Sequence, residues 1–338
     1  MSHKVLVTGG AGFIGSNFVK RVLNNNDDVH ITNLDALTYA GNLENLKDIE
    51  SDNYTFIKGK IQDKNLVREV LENGSFDGVI NFAAESHVDR SINDATPFIE
   101  TNIGGTVVLL DLVKELGIQN YLQVSTDEVY GSLGPTGMFT EKTPIQPNSP
   151  YSASKASADH LVLAYNHTFG MNVKITRCSN NYGPLQFPEK LIPLMINNAL
   201  EDKDLPVYGD GMNVRDWIHV YDHCDAIWEV YKNGKQGEVY NVGGNCEKPN
   251  IEIVKLLLDI LGKPESLIKY VKDRPGHDLR YAIDNTKITT ELGWSPKVTF
   301  EQGIKETVQW YIDNKDWSDN VRSGAYMEFY QKWYGDRK

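Results

Sequence analysis

The sequence predicts an α/β protein with a doubly wound parallel sheet and a smaller C-terminal α/β lobe. Three observations carry this prediction. Apolar runs typical of buried strands alternate with helical patterns through residues 4–176, the order that gives a parallel sheet covered by helices. A glycine-rich turn follows the first strand. Beyond residue 180, prolines and glycines break the pattern into short elements, which suggests a second lobe.

The first strand, residues 4–8, runs into a turn with Gly9, Gly12 and Gly15 and then into a helical pattern. Such a backbone can approach a pyrophosphate closely, and the helix N-terminus adds free amides and a partial positive charge. The second strand ends at Asp35, where an acid binds ribose hydroxyls of NAD and repels the extra phosphate of NADP. Together these features favour a Rossmann-type NAD site over a simple tight turn and a surface acid.

The alternation continues to residue 180. Further strands are expected at 54–57, 78–82, 121–124 and 173–176, and helices at 63–71, 97–116 and 150–169. We predict an NAD-binding Rossmann domain at 1–180 with a return segment around 211–245. Residues 181–338 are expected to form mainly the substrate-binding lobe.

Chemistry is expected where the fifth strand ends. Thr126, Asp127 and Glu128 follow this buried strand directly, and open α/β sheets hold their ligands at the carboxyl ends of the strands. Two adjacent acids interact, so one can keep its proton while the other is ionised.

A phenol and an ammonium are expected close to these acids. Ser149 and Pro150 are typical of a helix N-cap and first helical position. Tyr151 and Lys155 then lie one turn apart on the same helix face.

Composition disfavours several classes of partner. The chain has 34 basic against 46 acidic residues and a net charge of -12, which opposes a nucleic acid or an anionic membrane as the main partner. Its three cysteines form no Cys-x-x-Cys pair, so no zinc or disulfide pattern is present. We expect no signal sequence before the strand that begins at residue 4, and no apolar stretch reaches bilayer length. We expect a cytoplasmic protein without a metal.

The glycine turn, Asp35, Thr126 with its acids and Tyr151-x-x-x-Lys155 together resemble the extended short-chain dehydrogenase/reductase family, over essentially the whole chain. Nucleotide-sugar dehydratases of this family are similar at residues 83–92, 126–131, 180–184 and 273–278. The resemblance implies conversion of dTDP-glucose to dTDP-4-keto-6-deoxyglucose with loss of water, by tightly held NAD that is reduced and then reoxidised. It also implies a homodimer that pairs the helices at 97–116 and 150–169.

The resemblance also implies residue roles. Tyr151 is expected to take the proton of the sugar 4-hydroxyl, because Lys155 and the nicotinamide cation favour its phenolate. The resulting ketone acidifies the carbon 5 proton. Glu128 is then the expected base, Asp127 the acid that protonates the departing 6-hydroxyl, and Thr126 a hydrogen-bond partner near the 4-oxygen.

Two larger sets follow from matching family positions. The NAD site is expected to contain Gly9, Gly12, Phe13, Ile14, Gly15, Asp35, Thr38, Lys60, Ile61, Ala83, Ala84, Thr101, Tyr151, Lys155 and Asn181. The sugar-nucleotide site is expected to contain Ser86, Thr126, Asn180, Lys190, Leu191, Pro206, Tyr208, Arg215, Asn250, Arg274 and His277.

Lys60 departs from the family, which usually has an acid there to bind the adenine amino group. Lysine cannot accept a hydrogen bond, so backbone groups or Asp63 are expected to replace that contact. We expect His87 to be structural, without a role in proton transfer.

Two other functions stay open. An NAD-dependent nucleotide-sugar 4-epimerase needs the same tyrosine and lysine but no elimination, and an NAD-binding sensor or scaffold needs only the Rossmann features. The adjacent acids Asp127 and Glu128 favour a dehydratase over both. The sequence carries no readable motif for the nucleobase, so thymidine rests on the resemblance.

Overall fold

The computed structural model describes residues 3–273 and 276–322. The prediction for Arg274 therefore lies outside the described residues. The strands are β1 His3–Thr8, β2 Val29–Asp35, β3 Tyr54–Lys58, β4 Gly78–Asn81, β5 Asn120–Thr126, β6 Val173–Cys178, β7 Asn180–Tyr182, β8 Leu205–Tyr208, β9 Val214–His219, β10 Val239–Val242, β11 Glu247–Pro249 and β12 Ile268–Val271.

The helices alternate with these strands through the first half of the chain. They are α1 Phe13–Asn25, α2 Lys64–Gly74, α3 Val88–Asn93, α4 Thr96–Phe98, α5 Thr106–Glu115, α6 Pro150–Phe169, α7 Leu191–Leu200, α8 Val220–Asn233, α9 Asn250–Leu261, α10 Thr286–Leu292, α11 Phe300–Asp313 and α12 Lys315–Val321.

Seven parallel strands form the main sheet, in the order β10-β6-β5-β4-β1-β2-β3. The predicted α/β class and doubly wound sheet are confirmed. The chain reverses its direction of winding between β1 and β4, and open sheets of this kind hold ligands in the crevice outside such a reversal. The fold therefore fixes the position of a site before any side chain is considered.

Both faces of the sheet are covered, which is why its strands are apolar throughout. In β1, Val5 and Val7 join the cluster that contains Phe18 of α1 and Ile227 of α8. Leu6 joins the cluster on the opposite face, with Leu109 of α5. Successive side chains of a strand point to opposite faces, so one continuous apolar run serves two cores.

The smaller lobe has a separate core. It contains the sheet β11-β9-β7 and the pair β12-β8, and buried side chains of α7, α9 and α11, such as Ile196, Leu257 and Val308, pack together. The chain also returns to the main sheet, since β10 pairs with β6. A division into a cofactor domain and a substrate lobe at residue 180 stays a prediction.

The helix predicted at 97–116 is interrupted in the structure. A π-helical segment, Ile99–Gly105, separates α4 from α5. Within it, the Asn102 side chain bonds both the backbone N–H and the C=O of Glu85, at 2.9 and 3.0 Å. Such π-segments are frequent at functional sites, and this one carries Thr101 to the edge of the crevice.

Candidate active site

A cavity of about 560 Å³ lies along the carboxyl ends of β1, β2, β4, β5 and β6. All the residues expected at the NAD site line it, and so do Thr126, Asp127 and Glu128. These residues come from distant parts of the sequence, and the parallel sheet brings them to one edge.

The glycine turn fits the phosphates of a dinucleotide. Gly9 has a φ of 73°, and a Cβ there would lie 2.6 Å from the backbone nitrogen of Ala83; a Cβ at Gly15 would overlap the carbonyl oxygen of Gly9. Helix α1 begins after Gly12 without a side-chain cap. Its first amides and the helix dipole therefore suit an anion.

Asp35 is held in place at the end of β2. Its two carboxylate oxygens accept hydrogen bonds from the backbone N–H groups of Ala11 and Leu37, each at 2.8 Å. Burial raises the pKa of Asp35, and these two hydrogen bonds oppose that shift. A carboxylate has about four lone-pair sites, so it keeps capacity for ribose hydroxyls.

The structure offers a different acceptor near Lys60 than the one we expected. Asp63 caps α2 by accepting from the backbone N–H groups of Asn65 and Leu66 at 3.2 and 3.1 Å, and it is not part of the cavity wall. Gln62, which the sequence interpretation missed, lines the cavity. Its Nε2 donates to Thr101 Oγ1 at 2.6 Å, so its Oε1 supplies an acceptor that lysine lacks.

The two acids lie on a short turn, Asp127–Tyr130, that Thr126 caps by accepting from the N–H of Glu128 at 3.3 Å. Asp127 is only 2% exposed, whereas Glu128 is half-buried. Burial raises the pKa of Asp127 well above its ordinary value, and the nearby charges of Glu128 and Asp216 add to the effect. Asp127 is therefore favoured as the protonated acid of the pair.

Helix α6 begins where the sequence predicts. Ser149 and Ser152 form a reciprocal capping box with N–H to Oγ distances of 3.1 and 3.0 Å, and Pro150 is the first helical residue. This start places Tyr151 and Lys155, both buried, in the cavity wall.

Burial and nearby charges govern the pKa of Tyr151. Burial raises its pKa well above the ordinary value, and the charge of Glu128 raises it further. Lys155 does not reverse this shift: burial lowers the pKa of Lys155, and its Nζ donates to the carbonyl oxygen of Val124 at 2.7 Å. The groups of the chain therefore favour the neutral phenol, and the contribution of the nicotinamide cation to the phenolate stays a prediction.

The residues expected to bind the sugar nucleotide divide into two groups. Ser86, Asn180 and Lys190 line the cavity together with Thr126, and Lys190 Nζ donates to the Ser86 carbonyl oxygen at 3.1 Å. The others lie outside the cavity wall. They are Leu191, Pro206, Tyr208, Arg215, Asn250 and His277.

Contacts within the protein explain why three of this second group lie apart. Tyr208 Oη donates to Asp89 at 3.1 Å, and His277 Nδ1 lies 2.6 Å from Asp273 Oδ1. Arg215 donates to backbone carbonyl oxygens and its guanidinium lies 4.2 Å from the centre of the Tyr281 ring. The structure thus forms the cofactor half of the predicted site more completely than the nucleotide half.

The sequence interpretation also missed Glu189, which precedes Lys190 in the cavity wall. Burial raises its pKa to about 7, against the opposing charges of Lys190 and Arg90. His87 Nε2 lies 3.5 Å from Glu189, and its Nδ1 accepts from the Arg90 N–H at 3.4 Å at the start of α3. The position of Glu189 directly before Lys190, a predicted site residue, was the signal in the sequence that could have identified it.

Residues 3–273 and 276–322 contain no group of three or more His, Cys, Asp or Glu side chains placed to hold a metal ion. No helix in those ranges has the length and apolar character needed to cross a membrane.

Comparisons with known proteins agree with the geometry. The chain is 55% identical to the dTDP-glucose 4,6-dehydratase of Xanthomonas campestris pv. campestris strain B100, over 95% of this chain and 96% of the relative. The enzyme of the same name from Neisseria meningitidis serogroup B is 51% identical, over 96% and 97%.

Solved structures give the same result. The dTDP-glucose 4,6-dehydratase of Bacillus anthracis str. Ames, in complex with NAD, is 55% identical with a TM-score of 0.90, covering 95% of this chain and 100% of that one. The UDP-glucose 4-epimerase of Thermus thermophilus is only 29% identical, with a TM-score of 0.85, over 92% of this chain and 99% of that one.

The model of one protein family matches most of the sequence. The family described as GDP-mannose 4,6 dehydratase matches residues 6–307, and the resemblance inferred from the motifs is confirmed. The chain therefore belongs to the GDP-mannose 4,6 dehydratase family and is similar over nearly its whole length to dTDP-glucose 4,6-dehydratases.

Proposed function

We propose that this protein converts dTDP-glucose to dTDP-4-keto-6-deoxyglucose and water as a dTDP-glucose 4,6-dehydratase with bound NAD. One observation carries the proposal. A buried Asp127 that favours its protonated form is adjacent to a half-buried Glu128, in the same cavity wall as Tyr151. Oxidation or epimerisation at carbon 4 needs the phenol, whereas loss of water also needs a base and an acid.

When bound, NAD supplies a hydride acceptor for carbon 4 and then a hydride donor for carbon 6. The chain fits this cofactor through the glycine turn, the uncapped start of α1 and Asp35. We assign the ribose hydroxyls to Asp35 and the adenine amino group to Gln62 together with the backbone at Lys60. The relative from Bacillus anthracis was solved with NAD.

Each proton transfer has a suitable group. Tyr151 takes the proton of the 4-hydroxyl, once bound positive charge opposes the effects of burial and of Glu128 on its pKa. Glu128 then takes the carbon 5 proton, which the new ketone has made acidic. Asp127 gives its proton to the departing 6-hydroxyl, so water leaves and Asp127 ends ionised. When carbon 6 is reduced, Glu128 returns its proton to carbon 5. Thr126 orients Asp127 and Glu128, because its hydroxyl donates to Asp127 Oδ1 at 3.3 Å and accepts from the Glu128 N–H.

We assign the sugar to Ser86, Thr126, Asn180 and Lys190, which line the cavity. The nucleotide is assigned to the group of predicted residues that lie outside the cavity wall. That group is Leu191, Pro206, Tyr208, Arg215, Asn250 and His277.

Incubation with dTDP-, UDP- and GDP-glucose in parallel tests the proposed function. We expect dTDP-glucose to give a 4-keto-6-deoxy sugar, detected by its absorbance in alkali, and the other two sugars to react more slowly. Recovery of unchanged hexose, or of its 4-epimer, would contradict the proposal.

Glu128→Gln is expected to remove the base for elimination and to leave the cofactor site intact. A positioned base contributes about 10²- to 10⁴-fold, so water loss should fall by at least about 100-fold while the near-ultraviolet absorbance of reduced nicotinamide still develops. Glu72→Gln is the control, because Glu72 is an exposed acid on α2 whose side chain pairs with Arg68, one turn away. Near-normal turnover by Glu128→Gln would rule out its role.

Asp127→Asn is expected to stabilise the fold while it abolishes elimination. The pKa of Asp127 is raised in the folded protein. As pH rises above about 4, Asp127 therefore loses its proton in the unfolded chain before it does so in the folded one. The free energy of unfolding then decreases with pH until the folded pKa of Asp127 is reached. Asparagine does not titrate. The melting temperature of the variant should therefore exceed that of the wild type by a margin that grows with pH.

Asp48→Asn serves as the control, since the Asp48 side chain is 70% exposed and its removal should produce no such trend. A margin for Asp127→Asn that is constant from acid to neutral pH would contradict a raised pKa.

We also propose a homodimer in the cytoplasm. Ile99 and Phe169, on the helical segments expected to pair, are 55% and 53% exposed, and a partner would cover such apolar groups. Cys178, Cys224 and Cys246 are free thiols, as in a reducing compartment. Sedimentation at micromolar concentration should give twice the chain mass of 38.1 kDa; a monomer alone would refute the dimer.

A further inference from the structure

A buried carboxylate that the mechanism does not use lies one helical turn beyond Lys155. Asp159 is 0% exposed and follows Lys155 at the i, i+4 spacing in α6. Side chains with this spacing are neighbours on one helix face. An ionised carboxylate in such a place is costly unless cations and hydrogen bonds compensate it, so its partners define what it does.

Arg177 of β6 is the first of these partners. Its Nε donates to Asp159 Oδ2 at 2.8 Å, and its Nη1 donates to Tyr130 Oη at 3.0 Å. Arg177 is only 3% exposed. Tyr130 in turn donates to Asn241 Oδ1 at 2.7 Å. Because Tyr130 is the last residue of the turn that carries Asp127 and Glu128, one guanidinium bonds this turn to helix α6.

Lys155 is the second cation near Asp159, one helical turn away on α6; Asp159 acts on it through its charge and not through a direct bond. Its ammonium donates to the Val124 carbonyl oxygen of β5, which is a neutral acceptor. Asp159 and Cys178 are the groups whose negative charge favours the charged lysine. Burial raises the pKa of the Cys178 thiol, however, so this thiol is neutral at ordinary pH and the charge of Asp159 is the one that acts.

Two buried phenols near Asp159 are neutral as well. Burial raises the pKa of Tyr121 in β5 and of Tyr130, and the negative charge of Asp159 raises both pKa values further. Among the described residues that act on Lys155, Asp159 is then the one that carries a negative charge. Two buried cations, Lys155 and Arg177, share this carboxylate. Asp159 Oδ1 accepts no hydrogen bond from that part of the chain, so its charge is not fully compensated by Arg177.

We propose that Asp159 is a positioning residue: its carboxylate is the shared counter-ion of Lys155 and Arg177, and through Arg177 and Tyr130 it joins the tyrosine helix to the acid turn. The oxidation half and the elimination half of the site are then held by one buried network. The catalytic meaning of this inference rests on the proposed function, but the counter-ion role does not.

The charge of Lys155 can be measured directly by NMR of the full chain carrying [ε-13C]lysine, with Lys155→Arg to assign the signal. An opposite charge at about 4–6 Å shifts a pKa by about 1–3 units. In Asp159→Asn the Lys155 pKa should therefore fall by about one unit or more. Asp159→Glu, which keeps the charge, should restore most of it.

Asp111→Asn is the matched control. Asp111 is a partly buried acid on the neighbouring α5 that accepts from Tyr165 at 2.7 Å, and it is absent from the groups that shift Lys155. Its variant should leave the Lys155 pKa unchanged. An unchanged Lys155 pKa in folded Asp159→Asn would overturn the counter-ion role.

The linking role has its own test. Tyr130→Phe removes a single hydroxyl and should keep the Lys155 pKa, since Asp159 retains Arg177. The hydroxyl makes two hydrogen bonds, to Arg177 and to Asn241. The bond to Arg177 forms the link, and the loss of about 1 kcal/mol for one such bond corresponds to about fivefold. Elimination should therefore slow by at least about fivefold relative to oxidation of dTDP-glucose. An unchanged ratio would overturn the link, and this variant tests the link even if Asp159→Asn does not fold.

The pH dependence of dTDP-glucose oxidation gives a further test of the counter-ion role. In Asp159→Asn the alkaline limb of dTDP-glucose oxidation should move to lower pH, because Lys155 loses its proton earlier; a limb at the wild-type pH would contradict the proposal. If the wild-type chain does not dehydrate dTDP-glucose, the proposed function fails, whereas the NMR titration still decides the role of Asp159.

Discussion

The parallel pairing of β1 with both β2 and β4 is the constraint on which the rest of the structure depends. It reverses the winding of the chain at β1 and opens a crevice at the carboxyl ends of the strands. The glycine turn, Asp35 and the Asp127 turn all follow strands that end there. A slip of one residue in these strands would exchange their two apolar faces, so core packing and site geometry are fixed together.

Burial at this edge differs between neighbouring groups of the same kind. Asp127 is enclosed and favours its proton, whereas Glu128, next to it, is half-buried. Pairs of titratable groups whose environments move their pKa values apart commonly supply the acid and the base of an enzyme. The same enclosure works against Tyr151 and Lys155, since it raises the pKa of the phenol and lowers that of the ammonium. The charge of Lys155 therefore depends on neighbouring groups, among which we propose Asp159.

Local signals in the sequence were sufficient for the cofactor half of the site. Glycines between a strand and a helix, an acid at the end of the next strand and a Ser-Pro helix start each act over a few residues, and Gly9, Asp35 and Tyr151 lie in the cavity wall as expected. The position of Gln62 was not readable, because it depends on the packing of the loop after β3 against Thr101.

Properties that arise from distant contacts were beyond sequence reasoning. The pKa of Glu189 near 7 and the raised pKa of Tyr151 are consequences of burial by several elements. The π-segment Ile99–Gly105 involves a side-chain bond from Asn102 to Glu85, far along the chain from the pattern that predicted the helix. Arg215 and His277 have partners in the protein that no motif indicated.

The central claim is that one cavity performs oxidation, loss of water and reduction without releasing the hydrogen it removes. Turnover of dTDP-glucose with deuterium at carbon 4, followed by mass spectrometry and NMR of the product, tests this claim most directly. We expect the deuterium at carbon 6 of the 4-keto-6-deoxy sugar. Deuterium lost to solvent, or retained at carbon 4 of a hexose, would contradict it.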